Sequence, residues 1–140
     1  MYVVDSNVFA KLFIEEADSA QAIRFFQHCI EQETLLFAPT LLRYEILQIA
    51  LYYGHPLNDA LERLEQYCAF NLTLCELSRE TWHIAEKIVQ SGNKKSGFPS
   101  LYDSCYHALA IERDATFITA DKRHKAKTEA FGKILLLADY

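Results

Sequence analysis

The stretch MYVVDSN, residues 1–7, decides how the fold starts. Its apolar run predicts a short buried strand over Tyr2–Asp5 that ends in an acid. The polar triplet that follows is typical of a helix N-cap, and we expect a helix through about Phe13. A second stretch, ATFITAD at residues 115–121, repeats this arrangement, because a strand predicted over Ala115–Thr119 leads to Asp121.

Elsewhere, short apolar runs alternate with segments of helical periodicity. Further strands are predicted over Leu35–Ala38, Leu72–Cys75 and Lys133–Ala138. Further helices are predicted from Asp18 to about Ile30 and over Thr40–Tyr53, Leu57–Phe70, Ser78–Ser91, Ser100–Arg113 and Lys122–Ala130. The helix over Thr40–Tyr53 is apolar almost all the way round, so we expect it to be buried.

This alternation predicts one α/β domain over residues 1–140, a three-layer α/β/α sandwich with a central, mainly parallel sheet. In such folds ligands bind beyond the carboxyl ends of the strands, at the point where the strand order reverses. Asp5 and Asp121 both follow strand carboxyl ends. A site is therefore expected at that edge of the sheet.

The composition, 51% hydrophobic and 24% charged over 140 residues, is that of a soluble globular domain. No apolar stretch approaches the roughly 20 residues of a membrane-spanning helix, and the first residues lack the pattern of a secretion signal. We therefore expect a cytoplasmic protein without a membrane partner. The four cysteines have no C-x-x-C spacing, which argues against zinc, and we expect them to be core thiols.

The net charge of -5 does not by itself indicate a nucleic-acid-binding protein. Basic residues nevertheless cluster at positions 122–127 and at Lys94–Lys95. The usual explanation for such a cluster is a solvated basic face. The larger one starts directly after Asp121, however, which favours a role for Lys122 and Arg123 in binding RNA.

Four carboxylates are candidates for a metal site: Asp5, Glu45, Asp103 and Asp121. The three aspartates also have structural explanations, because each stands at or near a predicted helix start, and Asp103 completes a capping box with Ser100. Glu45 has no such explanation. It lies on an apolar arc of its helix, where an ionised group is costly unless it is paired or bound to a metal.

Oxygen-only ligands of this kind suit Mg²⁺ or Mn²⁺, and the sequence leaves open whether one or two ions bind. The chain has neither a G-x-S-x-G elbow nor a glycine-rich phosphate loop. His107 follows Asp103 by one helical turn. It would either orient that carboxylate or lie at the edge of a helix interface.

The chain resembles the PIN-domain ribonucleases, and among them most closely the VapC-type toxins of toxin–antitoxin pairs. The resemblance spans nearly the whole chain. It rests on the ordered segments VVDSN (3–7), PTLLRYEI (39–46), YDSCYHALA (102–110) and ATFITAD (115–121).

This resemblance implies that Asp5, Glu45, Asp103 and Asp121 bind the metal and that Asn7 and Thr119 are polar supports of the same pocket. It also implies a parallel sheet between helices, hydrolysis of RNA by activated water, a homodimer, and a short antitoxin that lies across the active-site groove. Every acidic position of the pattern is filled, as in an active enzyme.

The sequence thus predicts a metal-dependent endoribonuclease, the toxin of a type II toxin–antitoxin pair. One alternative is a receiver-like phospho-acceptor domain, although Asp5 is followed by Ser6 and Asn7 rather than by a second acid. Another is a PIN scaffold that binds RNA or protein without cutting. The RNA cut, the cleavage site, and the role of the Lys94–Gly97 loop, which matches no family motif, remain open.

Overall fold

The computed structural model describes all 140 residues, and its elements follow the predicted order. The strands are β1 (Tyr2–Val4), β2 (Leu36–Pro39), β3 (Leu72–Cys75), β4 (Thr116–Thr119) and β5 (Ile134–Leu136). The helices are α1 (Ser6–Ala10), α2 (Ser19–Glu31), α3 (Leu41–Tyr52), α4 (Leu57–Phe70), α5 (Arg79–Gln90), α6 (Leu101–Glu112) and α7 (Lys122–Thr128). Two short 3₁₀ turns, Glu129–Phe131 and Leu137–Asp139, flank β5.

The five strands form one fully parallel sheet in the order β3-β2-β1-β4-β5. Tyr2 is in register with Leu36 of β2 on one side and with Thr116 of β4 on the other. The chain first moves outward from β1 to β3 and then crosses back to β4, so the strand order reverses between β1 and β4. Right-handed crossovers then require helices on both faces, which confirms the predicted three-layer α/β/α class.

The strand order also contradicts the receiver-like alternative. Receiver domains such as CheY have the order 2-1-3-4-5, with the first strand beside the third. Here β1 lies between β2 and β4 instead. The reversal point therefore falls between the strands that precede Asp5 and Asp121, which brings these two acids to the same part of the sheet edge.

Aromatic side chains fill much of the core between the sheet and the helices. Phe9, Phe25, Phe26 and Tyr67 meet edge to face, with ring centroids 5.1–5.7 Å apart. Such geometry adds about 0.5–1.5 kcal/mol per pair to the gain from burial. Because Phe9 belongs to α1, this packing fixes the short helix that directly follows Asp5.

The prediction that α3 is buried all round is wrong. Leu42, Ile46 and Ala50, which follow one another at four-residue spacing, are buried, whereas Tyr44 and Tyr52 are exposed. A helix that packs against α1, α4 and β2 on one side turns its remaining residues outward, whatever their polarity. Because apolar residues occur on all sides of this helix, the sequence did not indicate which face is exposed.

Smaller differences concern the ends of elements and one cysteine. Helix α1 ends at Ala10 rather than Phe13, and β5 is limited to Ile134–Leu136. All four cysteines are free, but Cys68 is exposed on α4 and is not a core thiol. None of the helices combines the length and the apolar character that a membrane crossing requires.

Candidate metal centre

Asp5 lies at the carboxyl end of β1 with only 1% of its surface exposed. Its side chain does not cap α1, so the capping explanation fails. Instead, its carboxylate accepts hydrogen bonds from Asn7 Nδ2 at 2.9 Å, from Ser6 Oγ at 3.4 Å, and from the hydroxyl of Thr119. Thr119 belongs to β4, so these bonds cross the reversal point of the sheet.

Burial, the largest cause, and the charges of Asp103 and Glu45 together raise the pKa of Asp5 to about 7, against the lowering effect of the Thr119 hydrogen bond. No basic side chain forms an ion pair with this carboxylate. The raised pKa also places Asp103 and Glu45 within electrostatic reach of Asp5, although they come from two different helices.

Asn7 and Thr119 join the ends of β1 and β4. Asn7 Oδ1 accepts a hydrogen bond from the backbone nitrogen of Ala120 at 3.0 Å. Thr119 Oγ1 accepts one from the backbone nitrogen of Asp121, also at 3.0 Å. Both side chains therefore contact Asp5 and the segment that carries Asp121.

Glu45 projects from α3 and is half-buried. Its carboxylate accepts a hydrogen bond of 2.7 Å from the Tyr106 hydroxyl of α6. Burial raises the pKa of Glu45, as does the charge of Asp103, whereas the hydrogen bond from Tyr106 lowers it. The sequence pattern did not single out Tyr106, but its position three residues after Asp103 puts it on the same side of α6.

Asp103 lies in the first turn of α6, where its backbone nitrogen donates to Ser100 Oγ at 3.1 Å. Ser100 is thus the N-cap of α6, as predicted. Burial raises the pKa of the Asp103 carboxyl, and the charge of Asp121 raises it further. This places Asp103 near both Asp5 and Asp121.

Asp121 caps α7, as its structural explanation predicted. Its Oδ1 accepts hydrogen bonds from the backbone nitrogens of Arg123 at 2.8 Å and His124 at 3.0 Å. Only one of the two carboxylate oxygens makes these bonds, so capping leaves Oδ2 available for another ligand.

The four acids thus form a connected group that no basic side chain neutralises. None of them takes part in an ion pair, although the chain has such pairs elsewhere. Their oxygen-only chemistry fits Mg²⁺ or Mn²⁺. In the structure, no three His, Cys, Asp or Glu side chains lie close enough together to hold one ion. The ligand chemistry of the four acids therefore fits a metal, whereas their side-chain positions do not form a complete site.

His107 does not orient Asp103, and the helix-interface explanation is correct. Its Nε2 lies 2.7 Å from the Gly132 carbonyl oxygen, which can only accept, so Nε2 carries the proton. Its Nδ1 then accepts from Nε2 of His124 at 3.4 Å. Burial lowers the pKa of both rings, that of His124 to about 4, so the pair is neutral inside the protein.

The basic cluster after Asp121 divides into buried, paired and exposed members. His124 is buried, and Lys125 lies 3.3 Å from Asp139. Lys122 and Arg123 are exposed on α7. Arg123 and Lys127 line a polar groove of about 650 Å³, which we call the basic groove; its other wall is the loop at residues 91–97.

The loop is held by its own hydrogen bonds. Asn93 Oδ1 accepts from the backbone nitrogens of Lys95 at 2.9 Å and Ser96 at 2.8 Å. Backbone bonds between Asn93 and Gly97 close the turn. Lys94 and Lys95 are therefore carried by an ordered turn beside α7.

Comparisons with known proteins agree with this architecture. A solved structure of Mycobacterium tuberculosis VapC20, described as a sarcin–ricin loop cleaving toxin, superposes with a TM-score of 0.71 at 12% identity. The match covers 90% of this chain and 94% of that one, and at this identity it shows a shared fold. No curated protein sequence matches the chain. The PIN domain model, however, matches residues 2–130, and the chain therefore belongs to the PIN-domain family.

Proposed function

We propose that the chain is a Mg²⁺- or Mn²⁺-dependent endoribonuclease and the toxin of a type II toxin–antitoxin pair. The observation that carries the proposal is Asp5, a buried carboxylate at the reversal point of the sheet that lies near other acids and pairs with no basic side chain. Membership of the PIN-domain family and the structural likeness to a toxin support it.

In this mechanism Asp5, Glu45, Asp103 and Asp121 would hold the metal. A bound divalent ion would orient the scissile phosphate and lower the pKa of the attacking water. Asn7 and Thr119 hold the Asp5 carboxylate in place through the bonds that join β1 to β4. Tyr106 holds Glu45 in the same way from α6. On this proposal water is the nucleophile, and no side chain forms a covalent intermediate.

Exposed basic residues of α7 would neutralise the RNA backbone. Lys122 and Arg123 follow Asp121 directly, so a strand whose phosphate lies at the acids passes them next. The toxin assignment further implies an antitoxin partner, a homodimer and a cytoplasmic location, which belong to the proposal.

Cleavage of RNA by the purified chain tests the enzymatic part. We expect cutting with Mg²⁺ or Mn²⁺, none in excess EDTA, and a loss of at least about 100-fold in Asp5→Asn and Asp103→Asn, in line with the removal of groups that stabilise developing charge. Asp59→Asn, at an exposed acid of α4, is the matched control. Full activity in EDTA would exclude the mechanism. Metal-independent RNA binding without cleavage would instead identify a PIN scaffold.

Expression in a bacterial host tests the toxin part. The wild-type chain should arrest growth, whereas Asp5→Asn should not. Co-expression with the small protein encoded beside its gene should restore growth and yield a stable complex. Growth arrest that persists in the Asp5→Asn chain would separate toxicity from the acids and contradict the proposal.

A further inference from the structure

A groove of about 400 Å³ opens between α3 and α6 on the Glu45 side of the acids. We call it the aromatic groove, and its lining residues are Leu41, Tyr44, Glu45, Gln48, Ile49 and Tyr102. Glu45 belongs both to this groove and to the acid group. A molecule bound in the groove therefore lies directly beside the candidate metal centre.

Two tyrosines of this groove are exposed to solvent. Tyr44 and Tyr102 show 73% and 60% of their surfaces to solvent. Each precedes a site acid, Glu45 in one case and Asp103 in the other. The exposed Tyr52 ring, by comparison, packs on Tyr53 with centroids 5.1 Å apart. Large exposed apolar surfaces beside a site are a common mark of binding.

The charge of the residues that line the aromatic groove indicates which kind of chemical group would bind there. Glu45 is the only charged residue that lines it, so the groove disfavours phosphate and favours a flat, neutral group. The basic groove lies instead on the Asp121 side, beside α7. A nucleic acid strand that crosses the acids thus meets cations on one side and aromatic rings on the other.

We propose that Tyr44 and Tyr102 form a stacking site for an unpaired RNA base next to the scissile phosphate. The inference rests on the proposed ribonuclease function and deepens it, because it names two residues that would position the substrate beside the acids. Aromatic side chains stack on single-stranded bases irrespective of sequence, and a base held in a duplex is not free to enter such a groove.

Binding in a chain that does not cut tests this site independently of catalysis. The probe is a single-stranded RNA with 2-aminopurine at one position, whose fluorescence falls when the base stacks, added to Asp5→Asn protein in EDTA. We expect quenching and preferred binding over the same RNA annealed to its complement. Tyr44→Ala and Tyr102→Ala should each weaken binding about 5- to 100-fold, the range measured for base–aromatic stacking.

Phenylalanine variants separate the ring from the hydroxyl. Tyr44→Phe and Tyr102→Phe should bind as the parent does, because stacking needs only the ring. Tyr52→Ala is the control, since Tyr52 is 79% exposed on the same helix but does not line the groove. In the protein that keeps Asp5, the two alanine substitutions should increase the KM for RNA and leave the metal dependence of cleavage unchanged.

Three results would overturn the inference. The first is that the alanine variants bind single-stranded RNA as tightly as the parent protein does, and the second is that they lose affinity equally for single-stranded and double-stranded RNA. The third result is alanine variants that lose binding to a protein partner but keep their affinity for RNA. Failure of the ribonuclease proposal is a different result, namely wild-type protein that does not cut RNA in either metal.

Discussion

At the scale of single residues, the Asp5 carboxyl makes the stability of this protein depend on pH. Burial raises its pKa to about 7 in the folded chain, whereas an unfolded aspartate titrates near 4. Between these values the folded state binds more protons than the unfolded state, so the free energy of unfolding falls as the pH rises. Well above pH 7 both states are ionised and the loss is complete.

Replacing Asp5 with asparagine should therefore stabilise the metal-free protein at alkaline pH. We expect a gain on the order of 2 kcal/mol in the free energy of unfolding near pH 8, and little difference near pH 4. Urea denaturation in EDTA at both pH values measures this, with Asp59→Asn as the control. Equal effects at the two pH values would show that ionisation of Asp5 is not the cause.

On the proposed function, divalent ions should reverse this loss of stability, because they would bind the ionised carboxylates of the folded chain. At a concentration about 100 times the dissociation constant, Mn²⁺ or Mg²⁺ should add roughly 2.7 kcal/mol to the free energy of unfolding. Calorimetric or fluorescence melting near pH 8 measures the shift, which Asp5→Asn and Glu45→Gln should largely abolish. A shift of equal size in Glu62→Gln and in Glu45→Gln would place the bound ion elsewhere.

At the scale of elements, periodicity and short apolar runs sufficed to predict every strand and α-helix, because each is specified by neighbours in sequence. The position of Asp5 and Asp121 followed from the rule for strand ends. What the pattern did not predict depends on distant residues. The outward face of α3 depends on what packs against it, and the bond from Tyr106 to Glu45 joins residues 61 positions apart.

This contact between α6 and α3 leads to a prediction. The Tyr106 hydrogen bond lowers the pKa of Glu45, so Tyr106→Phe should raise it. If cleavage needs the ionised glutamate, the acidic limb of the pH–rate profile moves to higher pH in the variant. We also expect a loss of about 1–2 kcal/mol in the free energy of unfolding. Tyr53→Phe, at an exposed position, is the control, and an unchanged profile in Tyr106→Phe would exclude this role.

At the scale of the whole molecule, the distribution of charge matters more than its sum of -5. The acids occupy the carboxyl edge of the sheet, and exposed cations lie beside them along α7 and the loop at residues 91–97. A polyanion is repelled by the net charge but attracted locally to the basic groove. Exposed charges act within about 10 Å at ordinary ionic strength, so the local attraction dominates when RNA is close.

The basic groove should therefore control how RNA binding depends on salt. Arg123→Ala and Lys127→Ala should each weaken binding of single-stranded RNA about equally for all sequences. Each should also reduce the slope of log K against log salt by about 0.7, the value for one lost contact with a single-strand phosphate. Arg24→Ala, at an exposed cation of α2, is the control. Titrations over a series of salt concentrations give these slopes, and an unchanged slope in both groove variants would mean that RNA takes a different path.

Tyr44→Ala, in contrast, should reduce the affinity for single-stranded RNA without changing the slope, because a stacked base releases no counterions.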